Sequence, residues 1–95
     1  MKKVELDSIV KRNNTIVTSS IDNDIVMISI ERGKYYSMES IGSRIWELMN
    51  EELTVKDLCD KLCNEYNVDV EQCQSDVLHL LKDLVNENLI IIQEK

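Results

Sequence analysis

The sequence predicts an α+β fold in which a three-stranded antiparallel sheet on the N-terminal side is followed by three helices. Two features carry that expectation: the first half is rich in β-branched residues, and the second half repeats its apolar residues at helical spacing. A third makes it one domain spanning residues 1–95. Proline is absent, the glycines Gly33 and Gly42 stand alone, and no repeat or low-complexity segment divides the chain. With 95 residues and 43% hydrophobic content there is material for one small core. A chain of this size buries roughly 60–65% of its unfolded surface, so a ligand is expected at a groove or an edge.

The segments TIVTSSI (15–21) and DIVMISI (24–30) flank Asp22 and Asn23, a turn-forming pair, and read as a hairpin. In the second segment Val26, Ile28 and Ile30 alternate with Ile25, Met27 and Ser29, giving one wholly apolar face and one mixed face. Gly33 then supplies the left-handed residue that a three-residue hairpin loop needs, so that KYYSM (34–38) returns beside the second strand. The first helix is expected over about 41–50, with Ile41, Ile45, Leu48 and Met49 inward and Trp46 on the flank. Thr54 with Asp57 forms a capping-box-like start for the second helix, whose inward positions are Val55, Leu58, Leu62 and Tyr66. Asp69 with Gln72 caps the third in the same way; it runs to about Asn88 and carries Val70, Cys73, Val77, Leu80, Leu81 and Leu84, with Leu78 and Val85 beside them. That stripe is wider than one small core requires, which leaves part of it for a partner. The tail LIIIQEK reads either as a short strand or as an apolar plug over the helices.

Eleven Lys and Arg against 18 Asp and Glu give a net charge of −7, which disfavours a polyanionic partner. No signal-like segment and no apolar run near the ~20 residues of a membrane span is present, so a cytoplasmic protein is expected. Cys59, Cys63 and Cys73 are odd in number, lack a secreted-scaffold spacing and read as reduced core or boundary thiols. Zinc would need ligands beyond Cys59 and Cys63, with Cys73 and His79 alone at hand, so neither a metal nor another cofactor is expected. His79 lies at the apolar rim of the third helix and reads as a surface histidine; the acidic surroundings supply no activated thiolate. The carboxylates, among them Asp57, Asp60, Glu51 and Glu52, have the spacing of solvated faces and helix starts. Gly33 and Gly42 do not form a phosphate loop. An enzyme is therefore not expected.

The third strand is the strongest clue. It pairs on one side only, leaving a free row of backbone donors and acceptors along Lys34, Tyr35, Tyr36, Ser37 and Met38. Lys34 is its only charge, it has no proline, and the neighbouring helical face is apolar. This combination suits capture of an extended peptide as an added strand, with side chains entering an adjacent pocket. Tyr35 and Tyr36 must point to opposite sides, so one ring is expected to face a groove. Asp76 sits inside the third helix, one turn before Leu80 and two before Asp83 and Leu84, and reads either as a solvated carboxylate or as a polar contact for a bound chain.

ERGKYYSMESIGSRIWELM (31–49), TVKDLCDKLCNEYNVD (54–69) and DVLHLLKDLVNENLI (76–90) together resemble the PqqD-like family, stand-alone recognition elements of ribosomally made, post-translationally modified peptide pathways. The resemblance covers about Val10 to Ile92 and rests most on Gly33, Tyr36, Met38, Gly42, Ile45 and Trp46. It implies a winged helix-turn-helix-like fold and a function: binding the leader segment of a precursor peptide as an antiparallel strand on the third strand, against the third helix, for delivery to a modifying enzyme or leader peptidase. Carried onto this chain, the binding surface is Lys34 to Met38 with Asp76, Val77, Leu80, Asp83 and Leu84. The chain departs from the family at Glu39, where Asn usually caps the first helix; Ser40 is then the alternative cap. The chain is most similar to the lasso-peptide members, with recognition chaperones of radical SAM enzymes close behind. A winged-helix DNA-binding regulator is the rival, but Asp69, Glu71, Asp76, Asp83 and Glu87 against Lys82 alone make a recognition helix that DNA would repel. The expected partners are thus a precursor peptide and an enzyme, without nucleic acid or membrane, and the expected state is a monomer or weak dimer.

Overall fold

The computed structural model describes residues 3–22, 24–38 and 40–93. The strands are β1 (Ile9–Arg12), β2 (Ile16–Ile21), β3 (Asp24–Ser29), β4 (Lys34–Met38), β5 (Leu53–Thr54) and β6 (Ile90–Gln93); the helices are α1 (Ser40–Leu48), α2 (Val55–Glu65) and α3 (Val70–Asn86). The expected α+β fold is present, with β2, β3 and β4 forming the antiparallel meander ahead of the three helices. Its register runs from Ile16 opposite Ser29 to Ile21 opposite Asp24, and from Ile25 opposite Met38 to Ser29 opposite Lys34. Asp22 and Gly33 adopt the left-handed conformation their turns demand, and the Gly33 amide donates to the Ile30 carbonyl. The β3–β4 connection takes four residues rather than three, because β3 ends at Ser29. Asn23 of the expected turn pair and Glu39 of the expected helix start lie outside the described residues.

A second antiparallel sheet, in the order β5-β1-β6, was not expected as a sheet. The C-terminal tail resolves into β6, which lies along β1 with Val10 opposite Ile92. Two of the four β1 residues are charged and β5 has two residues, so neither carries a recognisable strand pattern. The Arg12 guanidinium donates from Nε to the Trp46 carbonyl at 2.9 Å and lies 5.0 Å from the centre of its ring. Burial holds the Arg12 pKa below its usual value.

The core joins β1, β3, the three helices and β6. Two expectations about helix faces are corrected, and the inward face of β3 is settled. Trp46 is not on the flank of α1 but 0% exposed at its centre, with Nε1 donating to Thr18 Oγ1, while Ile41 is 42% exposed. Ile45 and Met49 are buried as expected, and Trp46 rather than Ile41 joins them, because the largest apolar side chain, once its polar atom has a partner, gains most from burial. On α3, Val70 in the first turn is 50% exposed, and the helix ends at Asn86. On β3 it is the mixed face, Ile25, Met27 and Ser29, that turns inward. Both expected caps form: Thr54 accepts from the Asp57 amide and Asp69 from the Gln72 amide. No helix among the described residues is long and apolar enough to cross a membrane.

Candidate functional site

β4 is an edge, since its sheet runs β2-β3-β4 and no strand among the described residues pairs with its far side. Alternation along β4 buries Met38 and half-buries Tyr36 while Tyr35 and Ser37 face solvent on the other side; Lys34, at the start of the strand, is exposed as well. Tyr36 is the ring that looks toward α3; Tyr35 is 80% exposed on the opposite face. The Tyr36 hydroxyl donates to Glu87 Oε2 at 2.8 Å, and Arg32 Nη1 donates to the same oxygen at 2.7 Å. These bonds tie the start of β4 to the end of α3. The hydrogen bond to the Glu87 carboxylate, followed by burial, raises the Tyr36 pKa above its usual value.

Between β4 and the C-terminal half of α3 lies an open cleft of about 410 Å³, walled by Tyr36, Ser37 and Met38 on one side and by Asp83, Leu84 and Glu87 on the other. A second, more apolar cleft of about 230 Å³ opens between α1 and the N-terminal half of α3, with Ile41, Ile45, Cys73, Val77 and Leu80 in its wall and Asp76 at its rim. The residues expected on α3 therefore divide along the helix. Asp83 and Leu84 stand with β4, whereas Asp76, Val77 and Leu80 belong to the α1 side. Leu80 is half-buried and Asp76 and Asp83 are exposed, but Val77 and Leu84 are core residues that show only an edge to the clefts. Asp76 Oδ1 accepts from Gln72 Nε2 at 2.9 Å.

No local pattern reveals that Glu87 and Arg32 meet over Tyr36, since they are far apart in the sequence. Ser43 was also missed: its hydroxyl donates to the Met38 carbonyl at 2.6 Å inside the core and fixes the angle between β4 and α1. Ser40 opens α1 in a left-handed conformation.

A further hollow of about 650 Å³ beside α1 and α2 is lined by Glu47, Glu51, Glu52, Asp57 and Asp60 and lies away from β4. Cys59 and Cys73 are buried and Cys63 is half-buried, all as free thiols. Burial, and then the neighbouring Cys73, pushes the Cys59 pKa up to about 12, the opposite of what activates a nucleophile. Among the described residues no group of His, Cys, Asp and Glu is placed to hold a metal ion.

The family model of Coenzyme PQQ synthesis protein D (PqqD) matches residues 24–90, a span that contains both walls of the β4 cleft. Among solved structures, the chain is similar to TbiB1 in complex with the TbiA(beta) leader peptide, at 29% identity and a TM-score of 0.82, over 90% of this chain and 99% of that one. It is also similar to a lasso peptide synthetase B1 complexed with the leader peptide, at 17% identity and a TM-score of 0.77, over 86% of this chain and 96% of that one. At that lower identity the likeness is one of fold. No curated protein matches the sequence.

Proposed function

The chain belongs to the PqqD family, and on that premise we propose that it binds the leader segment of a ribosomally synthesised precursor peptide as an antiparallel strand on β4, against α3. The observation that carries this reading is the unpaired edge of Lys34–Met38 standing over a cleft whose other wall is α3. The edge offers main-chain hydrogen bonds of any sequence; the clefts offer selection by side chain. The leader peptide bound to TbiB1, the more similar of the two structures, supports the same kind of ligand. The proposed surface comprises Lys34, Tyr35, Tyr36, Ser37 and Met38 together with Asp76, Val77, Leu80, Asp83 and Leu84, with the Tyr35 contribution coming from its backbone.

The protein acts as a recognition subunit that supplies no catalytic group and delivers its peptide to a partner modifying enzyme or leader peptidase. The pathway we propose is lasso-peptide biosynthesis, which fits the fold shared with the lasso peptide synthetase B1. Exposed Asp76 and Asp83 at the clefts favour a leader with basic residues beside its apolar anchors. The test is titration of the protein with the leader peptide encoded beside its gene, followed by amide chemical shifts. Saturable shifts centred on Lys34–Met38 and α3 are expected. A confirmed cognate leader that moves no resonance would overturn the reading and leave a subunit that docks on an enzyme without touching the peptide.

A further inference from the structure

The meander has a second edge. β2 pairs with β3 without interruption from Ile16 to Ile21, and its other side meets no strand among the described residues. Every residue from Val17 to Ile21 is exposed. Proteins usually protect such an edge with a charge, a proline, a bulge or a covering element. β2 has no charge, no proline and no bulge, and it lies within Asn13–Ile21, the longest uncharged run in the sequence. The start of the strand is also held in place: the Asn13 amide donates to the Leu89 carbonyl, and its side chain bonds the Asn88 carbonyl and Thr15.

We propose that β2 is a self-association edge, on which a second copy of this chain adds its own β2 antiparallel about a two-fold axis through Ser19. Charge selects this occupant. A chain of net charge −7 repels its own copy over most of its surface, and a neutral strand is where two copies can touch without opposing like charges. A basic partner, in contrast, would find no carboxylate on this strand. Pattern selects the register. With Ser19 opposite Ser19, Val17 faces Ile21 of the second copy on the outer face; these side chains are 47% and 59% exposed in one copy. The row Val17, Ile28 and Tyr35, already aligned across the sheet, is thereby continued by Ile21 of the second copy. Moving the axis between Thr18 and Ser19 would send the helices of the two copies to opposite faces, and moving it to Thr18 would leave Ile21 beyond the end of the pairing strand. The β4 edges stay free at the two far ends of the six-stranded sheet.

One strand pair buries less than the ~1,200–2,000 Å² of a stable interface, so the dimer is weak, with a dissociation constant on the order of 0.1–1 mM. Because the contact is neutral and the remaining surface repulsive, added salt strengthens it. Sedimentation velocity from about 10 μM to about 2 mM, at low and high salt, is expected to show average mass rising with both variables. Amide shifts on dilution should centre on β2, and the Val17→Lys/Ile21→Lys variant should remain monomeric with an unchanged circular dichroism spectrum. A wild type that stays monomeric at the highest concentration and salt overturns the proposal, as do dilution shifts centred on Lys34–Met38 instead. Leader affinity of the double variant should equal that of the wild type, so failure here and failure of peptide recognition are separate results.

Discussion

Tyr35 and Tyr36 are neighbours in sequence with opposite situations, one ring in solvent and one bonded across the molecule to Glu87. That they diverge follows from the two-residue period of a strand, and this much was legible. Which of them faces the cleft depends on a carboxylate 51 residues further along the chain, and no local pattern encodes it. Because the folded pKa of Tyr36 is raised, the stability it contributes is present below the ordinary tyrosine range and is lost as pH rises through the folded value. Tyr36→Phe is therefore expected to remove an alkaline component from the phenolate absorbance titration. It should also increase hydrogen exchange at the end of α3 while leaving the rest of the fold protected. A lost component that titrates within the ordinary tyrosine range would mean that the Tyr36 to Glu87 bond does not persist in solution.

At the scale of elements, the meander and the caps of α2 and α3 were readable because each is specified within a few residues: Asp22, Gly33, Thr54 with Asp57, Asp69 with Gln72. β1 and β5 were not, since their pairing is decided by residues distant in the chain. The same division applies to α3. Its helical period was plain, but period alone did not separate the side chains that fill the core from those that border a cleft. Leu80 and Leu84 mark that difference. Leu80→Asp, at a half-buried position beside the α1 cleft, is expected to weaken leader binding by about tenfold or more with the fold retained. Leu84→Asp places a carboxylate at a site 5% exposed and is expected to cost about 3 kcal/mol or more of stability, masking any effect on binding. Chemical denaturation alongside calorimetric titration distinguishes the two. If Leu80→Asp binds like the wild type, the α1 cleft takes no part in recognition.

Across the whole molecule, the polar clamps join elements that the core alone would leave to slide. Arg44 on α1 grips the Glu65 carboxylate at the end of α2 through Nε at 2.7 Å and Nη2 at 2.8 Å. Those hydrogen bonds hold the Glu65 carboxyl below its usual pKa. Its contribution to stability is therefore present above the ordinary glutamate range, near pH 4, and is lost as pH falls through the folded value. Glu65→Gln is expected to melt at a temperature less sensitive to acidification than the wild type between about pH 6 and pH 3, by a small margin because both partners are partly in solvent. Equal slopes would show that the clamp contributes nothing.

The pairing of β1 with β6 also sets the order in which the parts of the chain become available during synthesis. β2, β3 and β4 are consecutive in sequence and leave the ribosome together, so the recognition sheet closes through short loops. Val10, by contrast, waits for Ile92. The β2–β3–β4 sheet can thus take shape while β1 still lacks its main partner, and β6, made after α3, is the strand that closes the pairing.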